Sequence, residues 1–137
     1  MALDDIPLFS MLKSKLGYET QRERVVSQNI ANADTPDFAP SDLKPFSFSG
    51  HMQQAMSVSP ARTSAMHLPG KPTLYGLSAT LKPQVTPDSE ARLDGNQVVL
   101  EEQMMKMSDA RAGYDAAITL YQNALTLLRT AAKRPGA

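Results

Sequence analysis

From Leu100 to Ala132, marked positions recur at alternating steps of four and three: Leu100, Met104, Met107, Arg111, Tyr114, Ile118, Tyr121, Leu125, Leu128 and Ala132. Arg111 is the one charge in an otherwise apolar row. That spacing is the seam of a coiled coil, and it predicts a helix over roughly 97–133, on the order of 55 Å long at ~1.5 Å per residue. Asp94-Gly95-Asn96 offers a turn and capping candidates at its start, and Pro135-Gly136 closes its end. Gly113, mid-helix, costs about 1 kcal/mol against alanine and predicts the close approach of another backbone. Near the start of the chain Phe9, Leu12, Leu16, Glu19, Glu23, Val26, Ile30 and Ala33 repeat the register. Asp4 or Asp5 can cap this first helix, and Pro7 sits where a first-turn proline is tolerated. Glu19 and Glu23 break its apolar seam in the middle. Either they face water or they meet bases on another helix, and Arg111 lies at the matching depth in an antiparallel pair.

Between the two seams the pattern fails. Eight of the ten prolines fall between Pro36 and Pro87, together with Gly50, Gly70 and Gly76. No helix runs far through such a stretch, and a sheet there is short and irregular. Phe46-Ser47-Phe48 and Thr73-Leu74-Tyr75 are strand candidates bounded by Pro or Gly, enough for one small hairpin. The alternative for an isolated monomer is a disordered linker. A structureless loop of this length argues against a single compact domain. The octapeptide Asn29-Ile30-Ala31-Asn32-Ala33-Asp34-Thr35-Pro36 marks the boundary. Pro36 lacks an N–H and pushes Thr35 out of the α region, so the helix stops before it. Asn32 and Asp34 are side chains that tolerate left-handed backbone there.

The fold class expected is mainly α. Two long terminal helices form a coiled-coil-like inner domain, with a Pro-rich, mostly irregular middle segment; the boundaries are 1–36, 37–93 and 94–137. A lone pair of helices leaves each largely wet, while ordering its backbone costs about 1–2 kcal/mol per residue. The core is therefore expected to be completed by copies of the chain or by partners, with the isolated monomer partly unfolded at its termini.

Charge and chemistry narrow the function classes. Fourteen basic and 14 acidic residues cancel, so no overall field favours nucleic acid or anionic lipid. The absence of cysteine removes disulfides, thiolate zinc sites and cysteine nucleophiles, and suits a protein that crosses compartments of different redox state. No apolar run reaches 18 residues, and Met1-Ala2-Leu3-Asp4-Asp5 is acidic where a secretory signal needs a basic start. His51 and His67 stand 16 apart without other ligands and read as surface histidines. Asp88 with Glu90, and Glu101 with Glu102, read as helix-end charge, as do Arg129, Lys133 and Arg134 at the opposite end. Met104, Met105 and Met107 read as ordinary core before a promiscuous binding face. Tyr114 and Tyr121 suit an interface with a wet edge. No hydrolase, nucleotide-binding or metalloprotease motif occurs. The expectation is a non-enzyme with no cofactor, no metal, no nucleic-acid partner and no small-molecule substrate.

The octapeptide, following an amphipathic N-terminal helix, resembles the signature of the bacterial flagellar rod, hook and hook-associated axial proteins. In that family Gly-Tyr usually follows; here Asp37-Phe38 stands there. The stretch from Asp94 to Met104 resembles the family's Asn-x-Val-x-Leu-Glu-x-Glu-Met-like segment, with Gln103 in place of the usual acidic residue. Short length and the ending Leu127-Leu128-Arg129-Thr130-Ala131 are most similar to the proximal rod members. The resemblance covers both termini, and it implies terminal helices paired into an inner domain. It further implies copies stacked helically into the periplasmic rod that transmits torque, and export through the flagellar type III apparatus without a cleavable signal peptide. The partners it implies are copies of the chain, FlgC and the distal rod subunits, the rod-base adaptor FliE, the membrane-ring protein FliF and the flagellar export gate. Subunit packing then falls to Phe9, Leu12, Leu16, Val26 and Ile30, and to Leu100, Met104, Met107, Tyr114, Ile118, Tyr121, Leu125 and Leu128. Two alternatives stand beside this reading: another axial subunit such as FlgC, and a cytosolic helical secretion adaptor or chaperone. The octapeptide argues against the second, because an adaptor has no evident need for that stop.

Overall fold

A computed structural model describes residues 6–48 and 81–133. Two helices dominate them: α1, Pro7–Ala31, and α2, Leu100–Ala132. Pro7 opens α1, where its missing N–H loses nothing, and Ile6 offers no side-chain cap. Asp4 and Asp5, the capping candidates, lie outside the described residues, as do His51, His67 and the strand candidate at Thr73–Tyr75. The helix ends at Ala31, ahead of Pro36 as proline geometry demands. Between the helices, β1 (Ser41–Asp42) pairs antiparallel with β2 (Gln84–Val85), Ser41 opposite Val85 and Asp42 opposite Gln84. This ribbon corrects the strand expected at Phe46–Phe48. Phe46 and Ser47 are irregular and Phe48 is helical, and the aromatic rings of Phe46 and Phe48 pack on each other at 4.9 Å.

The helices run antiparallel. At one end the Phe9 and Tyr121 rings meet edge to face at 5.2 Å; midway Arg111 Nε donates to Glu23 Oε1 at 3.0 Å; at the other end Asn29 Nδ2 donates to Gln103 Oε1 at 2.9 Å. The acidic break in the first seam is thus split in two. Glu23 meets Arg111, but Glu19 does not: it is buried, paired with Lys15 one turn earlier. Glu19 occupies the notch left by Gly113, where a Cβ would stand 2.6 Å from its Oε1 and 2.9 Å from its Cδ. The close approach that Gly113 permits is therefore a side chain and not a backbone.

Along α2 the buried residues are Gln103, Ala110 and Ala117, seven apart. Small side chains let α1 lie close, so α1 packs one position away from the Leu/Met/Tyr row. On its far side α1 is covered by the arms of the middle segment. Tyr18 and Val25 bury against Leu43, with Phe46 and Leu81 packed on them. Arg22 holds β1 in place through both oxygens of Asp42, at 3.2 and 3.3 Å.

Candidate functional site

The octapeptide and the segment before α2 meet at one corner, and each supplies what the other lacks. Three polar side chains there are almost fully buried: Asn29, Asn96 and Gln103. Burying such amides is tolerable only when they are hydrogen-bonded, and every one is. Asn29 treats Ser41 as a peptide group would. Its Oδ1 accepts from Ser41 N at 3.1 Å, and its Nδ2 donates to Ser41 O at 2.7 Å as well as to Gln103. Asn32 closes α1: its Nδ2 donates to Gln28 O, its Oδ1 accepts from Thr35 Oγ1, and its own carbonyl accepts the Thr35 N–H. Asn96 then stitches this turn to the returning chain. Its Nδ2 donates to the carbonyls of Asn32 and Thr35 at 3.0 and 2.7 Å, and its Oδ1 accepts from Val98 N at 2.8 Å. Asp37 N to Asp94 O and Gln97 N to Phe38 O complete the join. Asp34 stays on the surface, reached by Arg92 Nη1 at 3.1 Å.

The left-handed non-glycine residue of this corner is Asp37, with φ 58°; Asn32 at φ −103° is not left-handed. Asp37 therefore occupies, in a conformation suited to glycine, the position where the resemblance expects glycine. Across from it Gly95 has φ 80°, and a Cβ there would run into the Asp37 side chain and stand 3.4 Å from its Cα. Two tight turns thus face each other with room for one side chain between them.

Asp88 was legible only as a helix-end charge. It is one, reaching α2 from eleven residues before Val99. Val99, the N-cap, makes no side-chain cap bond, and Asp88 Oδ2 accepts its N–H at 2.9 Å instead. The carboxylate also accepts from Gln103 Nε2 at 2.8 and 3.0 Å and from Lys106 Nζ at 2.7 Å, with its side chain fully buried. Burial alone pushes the Asp88 carboxyl up. The bonds from Lys106, Gln103 and the Val99 N–H outweigh it and hold the group below its ordinary range. Helix α2 starts at Leu100 and not near 97, because Asn96 spends its side chain on α1's turn and this distant carboxylate takes the cap. The result is one buried polar chain, Ser41–Asn29–Gln103–Asp88–Lys106, tying both helices to both arms. Asn29 and Gln103 stand in the two sequence motifs; their mutual bond, and the part played by Asp88, Lys106 and Ser41, had no periodic signal.

The residues expected to pack between subunits divide. Phe9, Leu12 and Val26 are buried within the chain, and Leu16 and Ile30 half-buried. On α2, Leu100, Met104, Tyr114 and Leu128 are exposed, Met104 at 61%, while Met107, Ile118, Tyr121 and Leu125 are half-buried. A hollow of about 530 Å³ opens between the helices beside the corner, lined by Ile30, Leu100, Met104, Met107, Ser108 and Arg111. Among the described residues no cluster of His, Cys, Asp and Glu is arranged to hold a metal ion, and no helix is long and apolar enough to cross a membrane.

The fold defines a mainly α chain whose terminal helices are locked by paired polar motifs, with Leu100, Met104, Tyr114 and Leu128 of α2 left exposed. Its relatives make the class specific. The chain is 32% identical over 135 residues to the flagellar basal body rod protein FlgB of Agrobacterium fabrum strain C58, covering 97% of this chain and 98% of that one. It is 29% identical to FlgB of Proteus mirabilis over 119 residues, 81% of this chain and 82% of that one. With FlgB of Escherichia coli K12 it shares 29% over 112 residues, 76% of this chain and 77% of that one. No protein-family model matches the chain. The chain belongs to the FlgB family and is a flagellar basal-body rod subunit.

Proposed function

We propose that the chain is a structural subunit of the proximal rod, polymerising helically into the periplasmic drive shaft that transmits torque for motility. It leaves the cytoplasm through the flagellar type III system and carries out no catalysis. Its partners are copies of itself, FlgC and the distal rod subunits, FliE at the rod base, the membrane-ring protein FliF and the export gate. One observation carries this reading: the row Leu100, Met104, Tyr114 and Leu128 stays exposed although both helices are already folded on each other. Exposed apolar rows of that length mark protein contacts. The cysteine-free composition suits passage between compartments of different redox state. Packing at Phe9, Leu12 and Val26 serves the subunit itself, with Tyr121 edge-on to Phe9; Leu100, Met104, Tyr114 and Leu128 serve its neighbours, and the half-buried Met107, Ile118 and Leu125 serve both.

The test is a deletion strain of the source bacterium complemented with the intact gene or with Met104→Glu/Leu128→Glu. The intact chain restores swimming and is recovered in purified basal bodies. The double variant is expected to be exported yet fail to assemble. Swimming by the deletion strain, or absence of the intact chain from basal bodies, refutes the assignment.

A further inference from the structure

We propose that a hollow between α1 and the arm that follows β1 is a binding site for a neutral polyhydroxyl ligand of monosaccharide size. It stands apart from the exposed row that carries the rod reading, on the face of α1 that the middle segment covers. The hollow measures about 300 Å³ and is walled by Lys15, Tyr18, Glu19, Leu43, Pro45 and Phe46. One of these groups is chemically incomplete. Glu19 is buried, and its Oε1 is committed to Lys15 Nζ on the side of the Gly113 notch. Among the described residues, its Oε2 is the only buried side-chain polar atom without a hydrogen-bond partner. Leaving a carboxylate oxygen unpaired costs more than an average hydrogen bond returns. Elsewhere this chain avoids that cost, since Asn29, Asn96 and Gln103 are all bonded. With Oε1 committed, Oε2 is the oxygen available to the hollow. The space is roughly twenty times the ~10–15 Å³ that admits one water, and it falls at the small end of ligand pockets.

Charge and donor count select the ligand. Two acids and two bases border the hollow, and they are already matched: Glu19 with Lys15, and Asp42 with Arg22. Asp42 is also spent, since it accepts from Arg22 Nε and Nη2 and from the Leu43 N–H. A charged ligand would bring an unbalanced charge into a half-buried place, whereas a neutral one does not. What the hollow offers is one strong acceptor, Glu19 Oε2, beside one strong donor, the Lys15 ammonium. Of its three N–H groups Glu19 takes one. A hydroxyl both donates and accepts, so a vicinal pair of hydroxyls satisfies both groups together through charge-assisted bonds. Lys15 is held there by more than Glu19, lying 5.1 and 5.3 Å from the ring centroids of Tyr18 and Phe46. Leu43, Pro45 and Phe46 supply the apolar wall that suits the C–H face of a pyranose. A water alone would answer Oε2 and leave that wall unused.

The test is an NMR titration of the purified full-length chain with methyl β-glucopyranoside, cellobiose and spermidine. Saturable amide shifts with the glucoside, at a Kd of roughly 1 mM for so small a ligand, should gather at Lys15, Tyr18, Glu19, Leu43 and Phe46. Glu19→Gln should weaken binding at least fivefold. Glu19→Gln/Lys15→Met, which removes both charges together and strands neither, should abolish it. Unchanged resonances of Asn29, Asn96 and Gln103 show that the variant chains are folded; should they unfold, the wild-type titrations decide. Tighter binding of cellobiose marks the ligand as a unit of a glycan chain and equal binding marks a free sugar, and either supports the site. The proposal is overturned by no saturable shift up to about 50 mM of either sugar, by shifts scattered along both helices, or by undiminished affinity in a folded double variant. Spermidine saturating the same amides where the sugars do not would show a cation site instead and overturn it as well. None of these failures touches the rod assignment, which is read from basal bodies.

Discussion

Asp88→Asn tests the corner most directly, because the substitution keeps the shape and removes only the charge. Asp88 accepts from the Val99 N–H, the Gln103 amide and the Lys106 ammonium, all with its side chain buried. Asparagine can serve the Val99 N–H through its single oxygen. Its NH2 group, however, faces the donors of Gln103 or Lys106. Breaking one side of a buried ion pair costs roughly 3–5 kcal/mol where the other charge is trapped. Lys106 keeps 24% of its side chain exposed and can turn toward water, which brings the expected loss to about 2–4 kcal/mol. The pH dependence gives a second readout with a fixed sign. The Asp88 carboxyl lies below its ordinary value in the folded chain, so folding binds fewer protons there than the unfolded state does. Its stabilisation is fully present above the unfolded pKa of about 3.9. It is lost as pH falls from there through the depressed folded value. The assay is urea unfolding followed by far-UV circular dichroism at one fixed protein concentration, from pH 7 down to pH 3. Wild type should exceed the variant most at pH 7, and the gap should narrow below pH 4. Equal midpoints at pH 7, or parallel curves below pH 4, refute the capping role.

Asp37→Gly should stabilise the chain by about 0.5–1 kcal/mol, because relief of strain at φ 58° exceeds the entropy that glycine adds to the unfolded state; a thermal midpoint that falls contradicts it. Gly113→Ala should destabilise by about 1–2 kcal/mol despite a gain in helix propensity, since its Cβ would stand 2.6 Å from the buried Glu19 carboxylate. Combining it with Glu19→Ala should recover much of that loss, and strict additivity in denaturant melts would show that the notch is not shared. A double-mutant cycle of Glu23 and Arg111, partly exposed on both sides, should give a coupling of roughly 0.2–1 kcal/mol, while Glu19 with Arg111 gives none.

Periodicity revealed what repeats and missed what does not. The two helices, their antiparallel depth at Glu23 and Arg111, and the stop before Pro36 all follow from spacing and proline stereochemistry. The face on which α2 receives α1 did not. Hydrophobic patterning follows the largest side chains, yet α1 chose the stripe of Ala110, Gly113 and Ala117, where small side chains leave room for a close neighbour. The strand at Ser41–Asp42 was hidden because Asn29, twelve residues away, takes over its hydrogen bonds. Asp88 was hidden because a cap supplied from eleven residues upstream leaves no capping box in the sequence.

Why so polar a corner persists follows from the poverty of the helix–helix contact beside it. An alanine stripe gives little reason to prefer one register over another seven residues away. Slide α1 by one heptad in one direction and Asn29 faces Ala110, its amide without Gln103, while the buried Glu19 faces Leu120 in place of the Gly113 notch. Slide it the other way and Asn29 passes the start of α2 altogether. Each slip leaves a buried polar group unpaired, at about 1–3 kcal/mol for an amide and more for a carboxylate. A single buried polar pair is known to fix register in coiled coils by the same means. Here the polar groups, and not the large apolar ones, set the alignment. That frees Leu100, Met104, Tyr114 and Leu128, the exposed members of the α2 row, from aligning their own chain.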